Sequence, residues 1–146
     1  MTYKIIEEKK KVSFDFDATL SNIKVQRYAK ELIDAGYEVW VVTSRYDENH
    51  KHLYPMNATL DDLWKVVDRL KIPRHNVVFT NMIDKCHYLD KTKFIWHLDD
   101  NINEITEAIT MGCSVHMINV MKSNWKQRCN KLLKEYDEIS KNRKSI

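Results

Sequence analysis

Glycine and proline are scarce in this 146-residue chain, with two of each, against averages of about 7% and 5%. That scarcity excludes long structureless linkers and Gly-rich phosphate-cradling loops, and no G-x-x-x-x-G-K-[ST] run occurs. Cysteine is sparse and odd in number. Cys86, Cys113 and Cys129 show no C-x-x-C spacing, which argues against a disulfide framework or structural zinc site and for free thiols in a reducing compartment. No apolar run approaches the roughly 20 residues of a membrane span. Met1 to Lys11 is charged and carries no apolar leader core, so the expected location is the cytoplasm. The net charge of +3 is too mild to imply nucleic acid binding by itself. It is unevenly spread: Lys122 to Ile146 holds eight basic and three acidic residues.

What remains fits one globular domain over 1–146, with a core over about 12–120 and a basic amphipathic helix over 122–141. Hydrophobic residues make up 43% and charged residues 31% of the chain, enough apolar mass to bury a core at this length. Short β-favouring runs are predicted as strands at Val12–Phe16, Tyr37–Val42, Asn76–Phe79, Lys93–Leu98 and Ser114–Val120. Helical periodicity lies between them, at Ser21–Ala35, Leu60–Leu70, Asp84–Leu89, Ile102–Met111 and Lys122–Lys141. Gly36 and Gly112 follow two of these helices as stop signals, and Thr59 with Asp62 reads as a capping box for a third. Trp125, Cys129, Leu132, Leu133 and Tyr136 form an apolar stripe on the last. Alternation of this kind predicts an α/β fold, a Rossmann-like parallel sheet of about five strands covered on both faces by helices. The segment Arg45 to Thr59 is long, polar and aromatic, as functional loops often are.

In such a sheet, ligands bind beyond the carboxyl ends of the strands. The first predicted strand runs out in Asp15-Phe-Asp17-Ala-Thr19, the second in Thr43-Ser44-Arg45, and the fourth in Asp99-Asp100-Asn101, while Lys85 opens the short helix after the third. Acids crowded at one edge repel each other unless a cation offsets them. Carboxylate oxygens without Cys or His in the motif favour Mg²⁺ over zinc. Asp15 and Asp17, two apart in an extended segment, can face one reacting group, one as nucleophile and the other handling protons. A hydroxyl from Thr43 or Ser44 and the charge of Lys85 suit the oxygens of a phosphoryl group. The reaction class this set predicts is phosphoryl transfer through an aspartyl-phosphate.

The same residues resemble the motifs of haloacid dehalogenase (HAD) superfamily phosphatases. V-S-F-D15-F-D17-A-T19-L resembles the first motif, V-W-V-V-T43-S-R the second, Lys85 the third-motif lysine, and I-W-H-L-D99-D100-N the fourth-motif acid pair. The resemblance spans Val12 to Val120. It implies Asp15 as nucleophile and Asp17 as general acid and then base. Thr43, Ser44, Arg45 and Lys85 would hold the phosphoryl group. The implied magnesium ligands are Asp15, the Asp17 carbonyl, Asp99 and, directly or through water, Asp100. Ala18 stands where these phosphatases usually carry glycine, and its methyl group is expected to be tolerated provided the backbone there keeps negative φ. Lys91 and Lys93 are neighbouring alternatives to Lys85, which is favoured because it begins a helix after a loop. No room exists for an inserted cap after the first or second motif. The capless outline and the V-V-T-S-R run most resemble the 3′-phosphatase part of phage-type polynucleotide kinase/phosphatases, which implies nucleotide or polynucleotide phosphate ends as substrate.

Plainer alternatives stand beside each of these. Acids at strand ends serve as helix N-caps. His50 and His52 read as a solvated loop face before a metal site, and His97 as a core histidine before a catalyst. Tyr46, Tyr54 and Arg45 could grip a base or phosphate at the rim. Cys86 beside Lys85 could have a lowered pKa or be incidental. A receiver-like phospho-acceptor domain uses similar groups in a different chain order. The contrasting functional class is a module of the same fold that binds a phosphorylated ligand or partner without turning it over.

Overall fold

The computed structural model describes residues 10–53 and 59–144. Tyr54 of the rim lies outside them. Strands β1 (Lys11–Phe14), β2 (Glu38–Thr43), β3 (Val77–Phe79), β4 (Phe94–Asp99) and β5 (His116–Asn119) form one sheet in the order β3-β2-β1-β4-β5, every pairing parallel. Helices α1 (Ile23–Asp34), α2 (Asp61–Arg69), α3 (Cys86–Leu89), α4 (Ile102–Thr110) and α5 (Trp125–Lys144) alternate with them. This is the Rossmann-like α/β arrangement that the alternating pattern predicts. Among the described residues no helix is long and apolar enough to cross a membrane.

Parallel strands are buried on both faces, and the buried side chains accordingly fall into two groups. Val12, Phe14, Val39, Val41, Trp96 and Leu98 pack with Tyr28 and Leu32 of α1, Leu63 and Val67 of α2, and Cys129 and Leu133 of α5. Trp96 anchors this group, edge-on to Phe14 at 5.3 Å and stacked on Tyr28 at 6.2 Å. On the other side, Val42, Phe94 and Met117 pack with Cys86 and Leu89 of α3 and Ile105 and Ala108 of α4. The stripe on α5 therefore turns Cys129 and Leu133 to the core and leaves most of its basic side chains outside.

The turn chemistry explains the helix ends. Asn22 and Asn101 cap α1 and α4, their side chains accepting from the backbone N–H of Lys24 (2.9 Å) and Asn103 (3.0 Å). Gly36 (φ +95°) and Gly112 (φ +73°) follow these helices in the left-handed conformation that glycine adopts without penalty.

Two expectations fail. The capping box at Thr59 does not form: α2 starts at Asp61 with Leu60 in the cap position and no side-chain cap bond, because the Asp62 carboxylate is taken by Arg45. Ala18 is not at negative φ but at φ +55°, ψ +11°. The chain must reverse between Asp17 and α1, and alanine there carries a left-handed strain of about 1 kcal/mol or more.

Candidate active site

In the order β3-β2-β1-β4-β5 the chain winds outward in one direction as far as β3 and then crosses to β4 on the other side of β1. The carboxyl ends of β1 and β4 thus diverge into opposite loops, which opens a crevice between them. Asp15 follows β1 and Asp99 ends β4, and the Asp15 N–H donates to the Leu98 carbonyl at 2.8 Å, seating the two acids side by side. Both are buried, Asp99 completely.

Lys85 enters from the start of α3 and is itself buried, with only 2% of its surface exposed. Its Nζ donates to Asp15 Oδ1 at 2.8 Å and to Asp99 Oδ2 at 2.6 Å. The lysine at the acids is therefore Lys85, whereas Lys91 and Lys93 are exposed. Its backbone N–H is held by Glu104 Oε2 of α4 at 3.1 Å. Asp99 is gripped further by His97 Nε2 on Oδ2 at 2.8 Å and by the Asn101 N–H on Oδ1 at 3.0 Å.

One ammonium faces more than one carboxylate. Asp15, Asp99 and Asp100 each present an oxygen, all within 4.8 Å of one another. Asp99 accepts three hydrogen bonds and is held well below the usual carboxylate range despite its burial. Asp15 is pushed from 3.8 up to about 8, first by burial and then by the adjacent Asp99, with Lys85 opposing. Without a further cation Asp15 thus holds a proton near neutral pH. A donor set made only of carboxylate oxygens, one of which needs more positive charge to ionise, fits Mg²⁺. Neither carboxylate caps a helix: Asp15, in the cap position before the turn Phe16–Leu20, makes no side-chain capping bond, and asparagines cap α1 and α4.

Asp17 points elsewhere. Its carboxylate is more than half exposed and is clasped by the Arg45 fork, Nη2 to Oδ1 at 2.6 Å and Nε to Oδ2 at 3.0 Å. The same guanidinium reaches Asp62 of α2 through two bonds of 2.8 Å and lies over the Phe16 ring at 4.9 Å. Asp17 therefore stands outside the three-carboxylate cluster, and only its carbonyl is left for the metal role expected of it. Thr43, fully buried at the end of β2, accepts the Arg45 N–H on its hydroxyl at 3.3 Å, which leaves the hydroxyl hydrogen to donate. Ser44 is half-buried, and its carbonyl accepts from Met82 N–H at 2.8 Å, tying the loop after β2 to the loop that carries Lys85.

The other candidates separate from this centre. His50 pairs with Asp47 at 2.7 Å on an exposed loop, and His52 is exposed; neither joins an acid cluster among the described residues. The Cys86 thiol is pushed up by burial, not lowered by its neighbour Lys85. Three residues of the site had no such role in the sequence reading: His97, Ser13 behind it at 2.8 Å, and Asp62. A signal for His97 existed, since residues two apart on a strand share a face and His97 is two before Asp99.

No protein-family model matches the chain, and neither a curated protein nor a solved structure matches it.

Proposed function

We propose that this protein is a Mg²⁺-dependent phosphomonoesterase that works through a phosphoryl group carried on Asp15. The observation that supports this most strongly is the buried bridge of Lys85 between Asp15 and Asp99, inside a three-carboxylate cluster at the mouth of a parallel sheet. A structural ion pair has no use for the third acid, whereas a phosphoryl-transfer site needs a carboxylate nucleophile, a cation and donors for the phosphoryl oxygens. Asp15, Asp99 and Asp100 would hold the Mg²⁺, whose charge would keep Asp15 ionised and offset the phosphoryl oxygens.

The ionised Asp15 oxygen attacks phosphorus in line, forming a carboxyl–phosphorus bond as the bond to the ester oxygen breaks. Asp17, the exposed acid of the pair, takes up a proton from solvent when Arg45 turns to the phosphoryl oxygens, and gives that proton to the departing alkoxide. It then takes a proton from the water that attacks phosphorus, releasing inorganic phosphate and restoring Asp15. Lys85, the Thr43 hydroxyl, Ser44 and Arg45 donate to the phosphoryl oxygens. Arg45 has a fork with two acid partners and can release Asp17 to the leaving group while Asp62 keeps it in place.

For substrate we propose nucleotide or polynucleotide phosphate ends. Arg45 and Tyr46 at the rim, together with the eight basic residues after Met121, support a phosphate carried by an anionic molecule with bases to stack. The test is phosphate release with Mg²⁺ from 3′- and 5′-mononucleotides, 3′-phosphorylated oligonucleotides and sugar phosphates. Release that favours the nucleotidic substrates is expected, and indifference to all of them refutes the substrate assignment.

A further inference from the structure

Behind the carboxylates lies a buried polar pair that neither the packing nor the chemistry above accounts for. Ser13 and His97 are both fully buried, in strands whose interior positions are otherwise Val, Phe, Ile, Trp and Leu, between Lys11 at the start of β1 and Asp99 at the end of β4. Placing a hydroxyl and an imidazole there costs free energy unless each finds a partner. They meet because of an irregularity in the ladder. Lys11 of β1 pairs with Phe94 of β4, yet Ser13 pairs with His97, so two steps along β1 match three along β4. A regular ladder would set Trp96 opposite Ser13. Bulges re-aim side chains in this way beside active sites, and this one sends Trp96 to the apolar core and His97 toward Asp99.

The hydrogen bonds then fix the direction of donation. Asp99, ionised, only accepts, so the His97 Nε2 at 2.8 Å carries the hydrogen and donates. A neutral ring has no second hydrogen, so Nδ1 accepts and the Ser13 hydroxyl, at 2.8 Å, donates to it. The result is one continuous chain, Ser13 to His97 to Asp99. With Lys85 on the same Oδ2 and the Asn101 N–H on Oδ1, it leaves the Asp99 carboxylate no freedom to rotate.

We propose that His97 is a positioning residue for the metal ligand Asp99, and that Ser13 sets its ring orientation and tautomer. The inference rests on the Mg²⁺-dependent reading above, and the function of the pair would be to hold Asp99 in one rotamer for the incoming cation. Hydrogen-bond partners of metal ligands are typically worth about 10–100-fold in metal affinity.

The experiment is calorimetric titration of the full chain with Mg²⁺, with circular dichroism as a check on folding. Wild type, His97→Leu, His97→Gln, His97→Asn and Ser13→Ala are compared. His97→Leu is expected to weaken Mg²⁺ binding by about 10–100-fold. His97→Gln, whose amide N–H falls near the Nε2 position, is expected to recover most of the loss, and the shorter His97→Asn to recover little. Ser13→Ala, which removes one neutral hydrogen bond, should weaken binding about fivefold. A merely structural role would lower the melting temperature and leave the Mg²⁺ affinity of the folded protein unchanged. Wild-type affinity in folded His97→Leu overturns the assignment. If that variant does not fold, equal affinities for the Gln and Asn variants overturn it. A wild-type chain that binds no Mg²⁺ overturns the metal centre itself, and this assignment with it.

Discussion

Replacing Asp15 by asparagine removes a titratable carboxyl whose ionised form the fold compensates incompletely, and the consequence for stability follows from its shifted titration. In the unfolded chain this carboxyl titrates at 3.8, and in the metal-free folded protein at about 8. The folded state therefore keeps a proton that the unfolded state gives up. Stability from this group is fully present below pH 3.8, falls by about 1.4 kcal/mol per pH unit as pH rises, and is gone above pH 8. Between pH 5 and pH 7 the wild type should lose about 3 kcal/mol relative to Asp15→Asn, which has nothing to protonate. Taking the difference between the two proteins cancels groups common to both, including buried His97, whose depressed pKa acts in the opposite sense at the acid end. For a domain of this size the divergence corresponds to roughly 8 °C in melting temperature. The assay is thermal unfolding of both proteins in chelator at pH 5, 6 and 7. Adding Mg²⁺ should restore the wild type, by about 2.7 kcal/mol at a hundredfold excess over its Kd, and leave the variant nearly unmoved. Parallel pH profiles for the two proteins in chelator would refute the claim that Asp15 is held protonated by burial and by Asp99.

Two further substitutions probe the residues around the centre. Ala18→Gly should stabilise the protein by about 0.5–1 kcal/mol, the left-handed strain relieved less the extra entropy of glycine in the unfolded chain; chemical denaturation reads this, and a destabilised variant would contradict the backbone assigned to residue 18. Arg45→Ala should raise KM for phosphorylated substrates about 10–100-fold, the worth of charge-assisted hydrogen bonds to the phosphoryl group. Its cost in stability should be about 1–2 kcal/mol, because Asp17 and Asp62 are more than half exposed but the Arg45 side chain is mostly buried over Phe16. Steady-state kinetics and thermal unfolding separate the two effects, and an unchanged KM would remove Arg45 from the phosphate site.

The alternation of strand and helix was legible in the sequence because parallel strands read as short continuous apolar runs, such as VWVV and FIW, between amphipathic helices. The positions of Asp15, Thr43, Lys85 and Asp99 were legible for a related reason: each sits where an apolar run stops or a helix begins. Geometry between distant segments was not. Asp62 fits a capping box as well as it fits an arginine partner, and only the placement of α2 beside the loop after β2 decides between them. Ala18 has no local signal for positive φ, since the reversal is imposed by Asp15 pairing with β4 and by the entry into α1. The Ser13–His97 pair depends on a bulge in β4, a feature of register that periodicity within one strand cannot contain.

The measurement closest to the central claim is phosphate release in the presence of Mg²⁺ by wild type and by Asp15→Asn, over p-nitrophenyl phosphate, the mononucleotides and the 3′-phosphorylated oligonucleotides. Turnover by the wild type, abolished by chelator and absent from a folded Asp15→Asn, is the predicted result. Equal turnover by both proteins would contradict Asp15 as nucleophile. A folded wild type that releases phosphate from none of them would contradict the enzyme and leave a module that binds phosphorylated ligands.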